Sequence, residues 1–113
     1  MEEIICDLIN MANTFIGEAP FEIDNCQWIV FQSGVSDDHF GKDTYDKPEY
    51  KIYVRNTSNE EAKRLINEIY HRLKNLIGSN YVIIIDRLPY YINRDIKYRS
   101  LYALKIEIQL GGY

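Results

Sequence analysis

The fold is decided by the stretch PEYKIYVRNTSNEEAKRLINEIYHRLKNLIG, from Pro48 to Gly78. Its first part places Tyr50, Ile52 and Val54 on one face, in alternation with Lys51, Tyr53 and Arg55 on the other. A period of two predicts a strand, because successive side chains of a strand point to opposite faces of the sheet. We therefore expect one buried face and one face that meets water or a partner.

A long amphipathic helix is predicted directly after this strand. Capping-box spacing occurs twice, in Thr57 with Glu60 and in Ser58 with Glu61. Apolar residues then recur at helical spacing, which predicts one buried stripe that ends at Gly78. The stripe consists of Ala62, Leu65, Ile66, Ile69, Tyr70, Leu73, Leu76 and Ile77.

Outward from this stretch, the N-terminal segment 2–16 has apolar residues at helical spacing and predicts a helix. Segments 27–33 and 80–88 predict buried strands, and strict alternation over 102–110 predicts a last strand. Together these elements predict an α+β fold: a mainly antiparallel sheet of about four strands, with a long amphipathic helix packed on one face and an N-terminal helix. A chain of 113 residues is expected to form a single domain, 1–113.

Charge is distributed unevenly along the chain. Residues 1–41 contain eight acidic residues and no Lys or Arg, whereas residues 42–113 contain nine acidic and thirteen basic residues. The halves therefore carry formal charges of −8 and +4. This overall balance argues against DNA binding as the main role, because such domains usually carry an excess of positive charge. A polarised subunit suits a head-to-tail contact between copies, unless the charges interleave in space.

No motif for catalysis or for a cofactor is present. None of the glycine-containing segments has a phosphate-binding pattern, and no serine has a nucleophile-elbow context. We therefore predict that the protein is not an enzyme and has no cofactor. Cys6 and Cys26 are expected to be reduced core thiols. No apolar run has the length of a membrane span, and no secretory signal is recognised, so we expect synthesis in the cytoplasm.

Two segments carry candidate sites. The first is the long loop 34–47, in which Asp37, Asp38, His39 and Asp43 offer oxygen and imidazole ligands for a divalent ion. It lacks EF-hand spacing, so a solvated loop is the simpler interpretation and we predict no metal site. The second places aromatic residues beside bases, which is typical of a protein interface, of cross-strand packing or of a platform for single-stranded nucleic acid. Its candidate interface residues are Tyr90, Tyr91, Arg94, Tyr98 and Arg99.

The phrase KIYVRNTSNEEAKRLINEIYHRLKNL resembles a segment of the minor capsid and tail-terminator proteins of tailed bacteriophages and prophages. It is an extended strand that ends in Val-Arg-Asn, followed by a small polar cap and a helix that ends in Ile-Tyr-His-Arg-Leu. The resemblance extends to the N-terminal helix, the long loop and the turn LPYYI, and so covers most of the chain.

The resemblance implies a structural subunit of a ring, typically hexameric, that caps the tail tube and joins it to the neck of the head. The implied partners are other copies of the chain, the tail tube protein and a neck or head-completion protein, with DNA only as passing cargo and no membrane. The implied location is the tail neck of the virion, after assembly in the host cytoplasm. A head-closure or other neck connector protein and a small nucleic-acid-binding module are the alternatives.

For a ring subunit, the acidic loop becomes a candidate subunit interface or channel lining, because negative walls repel duplex DNA. Its candidate residues are Asp37, Asp38, His39, Phe40, Asp43, Tyr45 and Asp46.

Overall fold

The computed structural model describes residues 2–35 and 47–110. This part of the chain forms two helices and six strands. In chain order they are α1 (Glu2–Ile9), β1 (Thr14–Ile16), β2 (Cys26–Val35), β3 (Lys47–Asn56), α2 (Asn59–Leu73), β4 (Tyr81–Ile84), β5 (Tyr90–Arg94) and β6 (Ser100–Leu110).

The six strands form one mixed sheet in the order β1-β2-β3-β6-β4, and β5 also pairs with β6. β1 runs parallel to β2, whereas the other pairings are antiparallel. The central strand β3 pairs along most of its length with both β2 and β6. β4 and β5 lie end to end on the outer side of β6, β4 at residues 107–110 and β5 at residues 100–103.

The core lies between the helices and one face of the sheet. The directly opposed residues Ile29, Ile52 and Leu104 form a row across β2, β3 and β6 and are almost fully buried. α1 contributes Ile5 and Ile9, and α2 contributes apolar residues of its predicted stripe. The N-cap of α2 is Ser58, whose hydroxyl accepts a hydrogen bond from the backbone N–H of Glu61 at 3.2 Å, as the capping-box spacing predicts.

The predicted fold class is wrong. The chain forms a mixed six-stranded sheet with two short helices, of 8 and 15 residues, instead of a mainly antiparallel four-stranded sheet with a long helix. One reason lies at Asn10, which ends α1 in the left-handed conformation (φ 51°). The chain then turns, and β1 joins β2 while the Gln27 side chain donates to the Ala12 carbonyl and to the Thr14 hydroxyl.

A second reason lies at the end of α2. Asn75 also adopts a left-handed conformation (φ 57°), so the helix stops at Leu73, before the last two apolar residues of the predicted stripe. Ile77 instead forms a β-bridge with Val82. The third difference is β5. The exposed segment Tyr90–Arg94 pairs with β6, although its sequence indicates a break between two strands. Of α1 and α2, the helices of the described part, neither has the length and apolarity to cross a membrane.

Candidate interface on the open sheet face

The face of the sheet opposite the core carries aromatic and charged side chains. A row of directly opposed residues crosses it from β2 through β3 and β6 to β5: Trp28, Tyr53, Ala103 and Tyr90. Trp28 and Tyr53 are half-buried, and their rings stack with centroids 5.2 Å apart and an interplanar angle of 21°. Tyr90 is 39% exposed. Aromatic side chains of this kind are enriched at protein interfaces.

One end of this face is closed by the segment 18–25. The Arg55 guanidinium donates to the carbonyl oxygens of Pro20 and Ile23, each at 2.6 Å, and lies 5.2 Å from the centre of the Trp28 ring. Arg99 donates to the carbonyl oxygens of Phe21 and Ile23 at 2.7 and 3.2 Å. Both arginines are buried, so their role is to hold this segment on the sheet.

The other end of the face contains a charged cavity of about 320 Å³, here called the lysine cavity. Its lining residues are Gln32, Glu49, Lys51, Arg87, Tyr90 and Lys105. Lys51 and Lys105 are direct cross-strand partners on β3 and β6. Lys105 forms an ion pair with Glu49 at 3.3 Å. The lining residues thus carry three cations and one carboxylate, a net charge of +2, and Glu107, opposite Glu49 on β6, is a second carboxylate beside them on the same face.

Arg87 reaches the cavity because of the interruption between β4 and β5. Ile84 pairs with Glu107 and Tyr90 pairs with Ala103. The chain therefore advances six residues from β4 to β5 while β6 spans only four residues between the same two pairs. The two surplus residues push the chain outward, as a β-bulge does when it redirects a side chain. Arg87 and Leu88 are exposed in this bulged segment, and Arg87 lines the cavity.

The predicted aromatic and basic residues lie on one hairpin, but in different surroundings. Tyr90 lines the lysine cavity, whereas Tyr91 lies on the helix side, where its ring meets Tyr102 edge-on at 5.3 Å. Arg94 is exposed on β5, and Tyr98 is 75% exposed in the following turn at φ 60°. Arg99 is fully buried and is therefore not available at the surface.

The predicted candidates in the acidic loop lie outside the described residues: Asp37, Asp38, His39, Phe40, Asp43, Tyr45 and Asp46. Within residues 2–35 and 47–110, no three His, Cys, Asp or Glu side chains come together as a metal site requires. Cys6 and Cys26 are free thiols. Burial raises the pKa of both thiols, which disfavours the thiolate that metal binding and nucleophilic attack require.

The lysine cavity was not predicted from the sequence. The alternation of Lys51, Tyr53 and Arg55 in β3 indicated a wet or partner-facing side, and Lys105 stands at a corresponding outward position in the last strand. Their juxtaposition depends on the register between β3 and β6, which the sequence pattern does not specify.

Comparisons with known proteins agree with the fold and indicate the family. A solved protein structure matches 100% of this chain and 89% of its own, with a TM-score of 0.59 and 8% sequence identity, a likeness of fold alone. No curated protein matches the chain. The family model described as "Bacteriophage tail terminator protein" matches residues 5–111. The family is structural, and its members are components of the virion tail. Since the match covers nearly the whole sequence, the chain belongs to the bacteriophage tail terminator family.

Proposed function

We propose that this protein is the structural subunit of a ring that caps the tail tube and joins it to the neck of the phage head. The observation that carries the proposal is the family match over residues 5–111. The partners in this role are other copies of the chain, the tail tube protein and a neck or head-completion protein, with DNA passing through the ring. Assembly takes place in the bacterial host cytoplasm.

Two features of the chain support a ring. The open face carries the aromatic row and the lysine cavity, neither of which is covered by a helix in the described part of the chain. Exposed carboxylates, Glu18 and Glu22, also lie at the end of this face opposite to the positively charged cavity. Two different, complementary surfaces on one chain favour a head-to-tail contact, and such contacts close into a ring when the rotation between copies permits. A hexamer is the expected stoichiometry.

Deletion of the gene from its phage tests this function. Tails in lysates are measured by electron microscopy, and we expect overlong tubes of variable length that are not joined to heads. Expression of the wild-type chain in trans should restore uniform, joined tails. Tails of normal length with normal joining would overturn the proposal. Tails of normal length that stay separate from filled heads would assign the chain to head closure instead.

The stoichiometry has its own measurement. Light scattering coupled to size exclusion, over a range of protein concentrations and with purified tail tubes added, should show a species of six subunits alone or at tube ends. A different closed ring would correct the number of subunits. Tubes that continue to grow in the presence of the protein would contradict the capping role.

A further inference from the structure

The residues that line the lysine cavity carry a net positive charge, and the sum stays positive when the neighbouring Glu107, opposite Glu49 on β6, is counted. Lys51 and Lys105 lie directly opposite each other on β3 and β6. Side chains at such positions have Cβ atoms about 5 Å apart, and like charges there are destabilising. Glu49 pairs with Lys105 at 3.3 Å. In residues 2–35 and 47–110, neither Lys51 nor Arg87 has a carboxylate within ion-pair distance.

This charge lies in a place where it is costly to leave unmatched. Lys51 belongs to the central strand, with β2 on one side and β6 on the other, and its side chain is half-buried. Partial burial strengthens electrostatic interactions relative to bulk water, both repulsive and attractive. The cavity of about 320 Å³ is large enough to admit one or two carboxylate side chains. Its chemistry therefore fits an anionic group with several oxygen acceptors.

The same chain has an acidic surface at the other end of this face. Residues 18–24, here called the acidic segment, carry Glu18, Glu22 and Asp24, all exposed, and no Lys or Arg. Arg55 and Arg99 hold this segment on the sheet through backbone carbonyl groups. Asp24 lies 3.5 Å from Arg99, while Glu18 and Glu22 stay at the surface. The two buried arginines thus fix the backbone of the acidic segment, while the carboxylates of Glu18 and Glu22 face outward.

The two surfaces are separated along the strands. Arg55, under the acidic segment, is four residues from Lys51 on β3, a distance of about 13 Å. They differ in sign: Glu18 and Glu22 give −2 once Asp24 is paired with Arg99, and the lining residues of the cavity give +2. A contact between different patches on identical chains is heterologous, which is the type that a closed ring requires.

We propose that the lysine cavity of one copy receives Glu18 and Glu22 from the acidic segment of a second copy. This inference rests on the proposed ring and assigns the contact that joins its neighbours. Lys51 and Arg87 supply the cations, and Tyr90 adds a phenolic hydroxyl at the cavity wall. The contact relieves the Lys51–Lys105 repulsion, so it also stabilises the sheet of the copy that supplies the cavity.

Charge reversal on each surface tests the contact. The cavity variant carries Lys51→Glu with Arg87→Glu, the segment variant carries Glu18→Lys with Glu22→Lys, and the combined variant carries all four changes. Self-association of the full chain is measured by sedimentation from micromolar to millimolar concentration at low salt. We expect each single-surface variant to weaken association at least about tenfold, and the combined variant to restore most of it, because the two reversed patches again differ in sign.

The matched control carries Lys63→Glu with Lys74→Glu, which makes the charge change of the cavity variant at two exposed positions, one in α2 and one directly after it. It should associate as the wild type does apart from a small general charge effect. Circular dichroism checks the fold of every variant. If Lys51→Glu prevents folding, Arg87→Glu alone tests the cavity, since Arg87 is exposed in the bulged segment.

Three results would overturn the contact: a wild-type chain that stays monomeric throughout at low salt, a cavity variant that associates normally, or a combined variant that is not restored. A cavity variant that loses affinity for short duplex DNA but associates normally would make the cavity a phosphate site instead. Tail-length control separates this inference from the proposed function. If the cavity variant still forms rings that cap tail tubes, the proposed contact is wrong but the proposed function stands. If the wild-type protein leaves tubes uncapped, the proposed function is wrong.

Discussion

Arg55 of β3 and Arg99, the residue before β6, donate to the same acceptor, the carbonyl oxygen of Ile23, at 2.6 and 3.2 Å. Two buried cations therefore converge on one backbone position of a segment that has no regular structure. Hydrogen bonds from charged donors are stronger than those between neutral groups. This shared acceptor couples the acidic segment to the sheet.

Removal of the Arg99 side chain should destabilise the protein. Arg99 is fully buried and donates to the Asp95 carboxylate at 2.9 Å as well as to Phe21 and Ile23. Arg99→Ala removes the donor of the Phe21 carbonyl and the guanidinium partner of the Asp95 carboxylate, whereas the Ile23 carbonyl keeps Arg55. We expect a loss of about 3 kcal/mol in the free energy of unfolding. Urea denaturation measures it. The control is Arg94→Ala, which removes an exposed arginine from β5 and should cost within about 0.5 kcal/mol. Equal losses in the two variants would contradict the role assigned to Arg99.

Acid should weaken the protein partly through Asp95. Burial raises the pKa of this carboxyl, but hydrogen bonds from the Arg99 side chain and from the backbone N–H groups of Arg99 and Lys97 outweigh it, so the pKa lies below the usual value. The unfolded chain binds the proton more readily, with a pKa of about 3.9. The stabilisation is therefore complete above that value and is lost as the pH falls through the lower folded pKa.

Asp95→Asn should be less stable than wild type at neutral pH, and the difference should shrink in acid. Free energies of unfolding across the range from neutral to pH about 3 measure this change. Asp86→Asn is the control, because Asp86 is exposed and outside this network. A difference between wild type and Asp95→Asn that stays constant over the whole range would show that the charge of Asp95 does not matter.

The stack of Trp28 on Tyr53 should be visible in fluorescence, because Trp28 is the single tryptophan of the chain. Tyr53→Ala uncovers one face of the indole. We expect a red-shifted emission and stronger quenching by acrylamide. The free energy of unfolding should fall by about 1 kcal/mol more than the loss of buried apolar area alone would cause. Tyr98→Ala removes a tyrosine that is 75% exposed and should leave the spectrum unchanged. An unchanged spectrum in Tyr53→Ala would mean that the stack does not shield Trp28.

Gly78 should not tolerate a side chain. Its backbone N–H donates to the Tyr81 carbonyl at 2.8 Å, and a Cβ at this position would overlap the ring of Tyr81. Gly78→Ala forces Tyr81 to move and should cost about 1–3 kcal/mol, the usual range for overpacking. The thermal midpoint measures it, with Ser79→Ala at the exposed neighbouring position as control. A midpoint equal to that of Ser79→Ala would mean that the Tyr81 ring has room to rotate away.

The sequence predicted those elements whose signals are local. Tyr50, Ile52 and Val54 alternate because β3 has one buried face, and the Ser58–Glu61 spacing marks the start of α2. The ends of both helices were predicted too late, because Asn10 and Asn75 terminate them through left-handed backbone conformations that the apolar periodicity does not reveal.

Features that depend on pairing were not predictable in this way. β1 has only three residues and exists because it pairs with β2 and because Gln27 holds the preceding turn. The sequence predicts Arg99 as an interface base at the surface. It is buried because Asp95 and the distant segment at Phe21 surround it. The cavity likewise required the register that places Lys51 opposite Lys105.

The two surplus residues between β4 and β5 restrict how the length of this chain can change. An even surplus keeps Ile84 and Tyr90 on one face and leaves Ile83 and Tyr91 on the other, so the buried and exposed sides agree on both sides of the bulge. Insertion or deletion of a single residue has to be absorbed within the irregular segment 85–89, because a shift carried into β5 would turn its side chains over. A surplus of zero would draw β4 and β5 into one unbroken strand and would remove the bulge that brings Arg87 to the cavity.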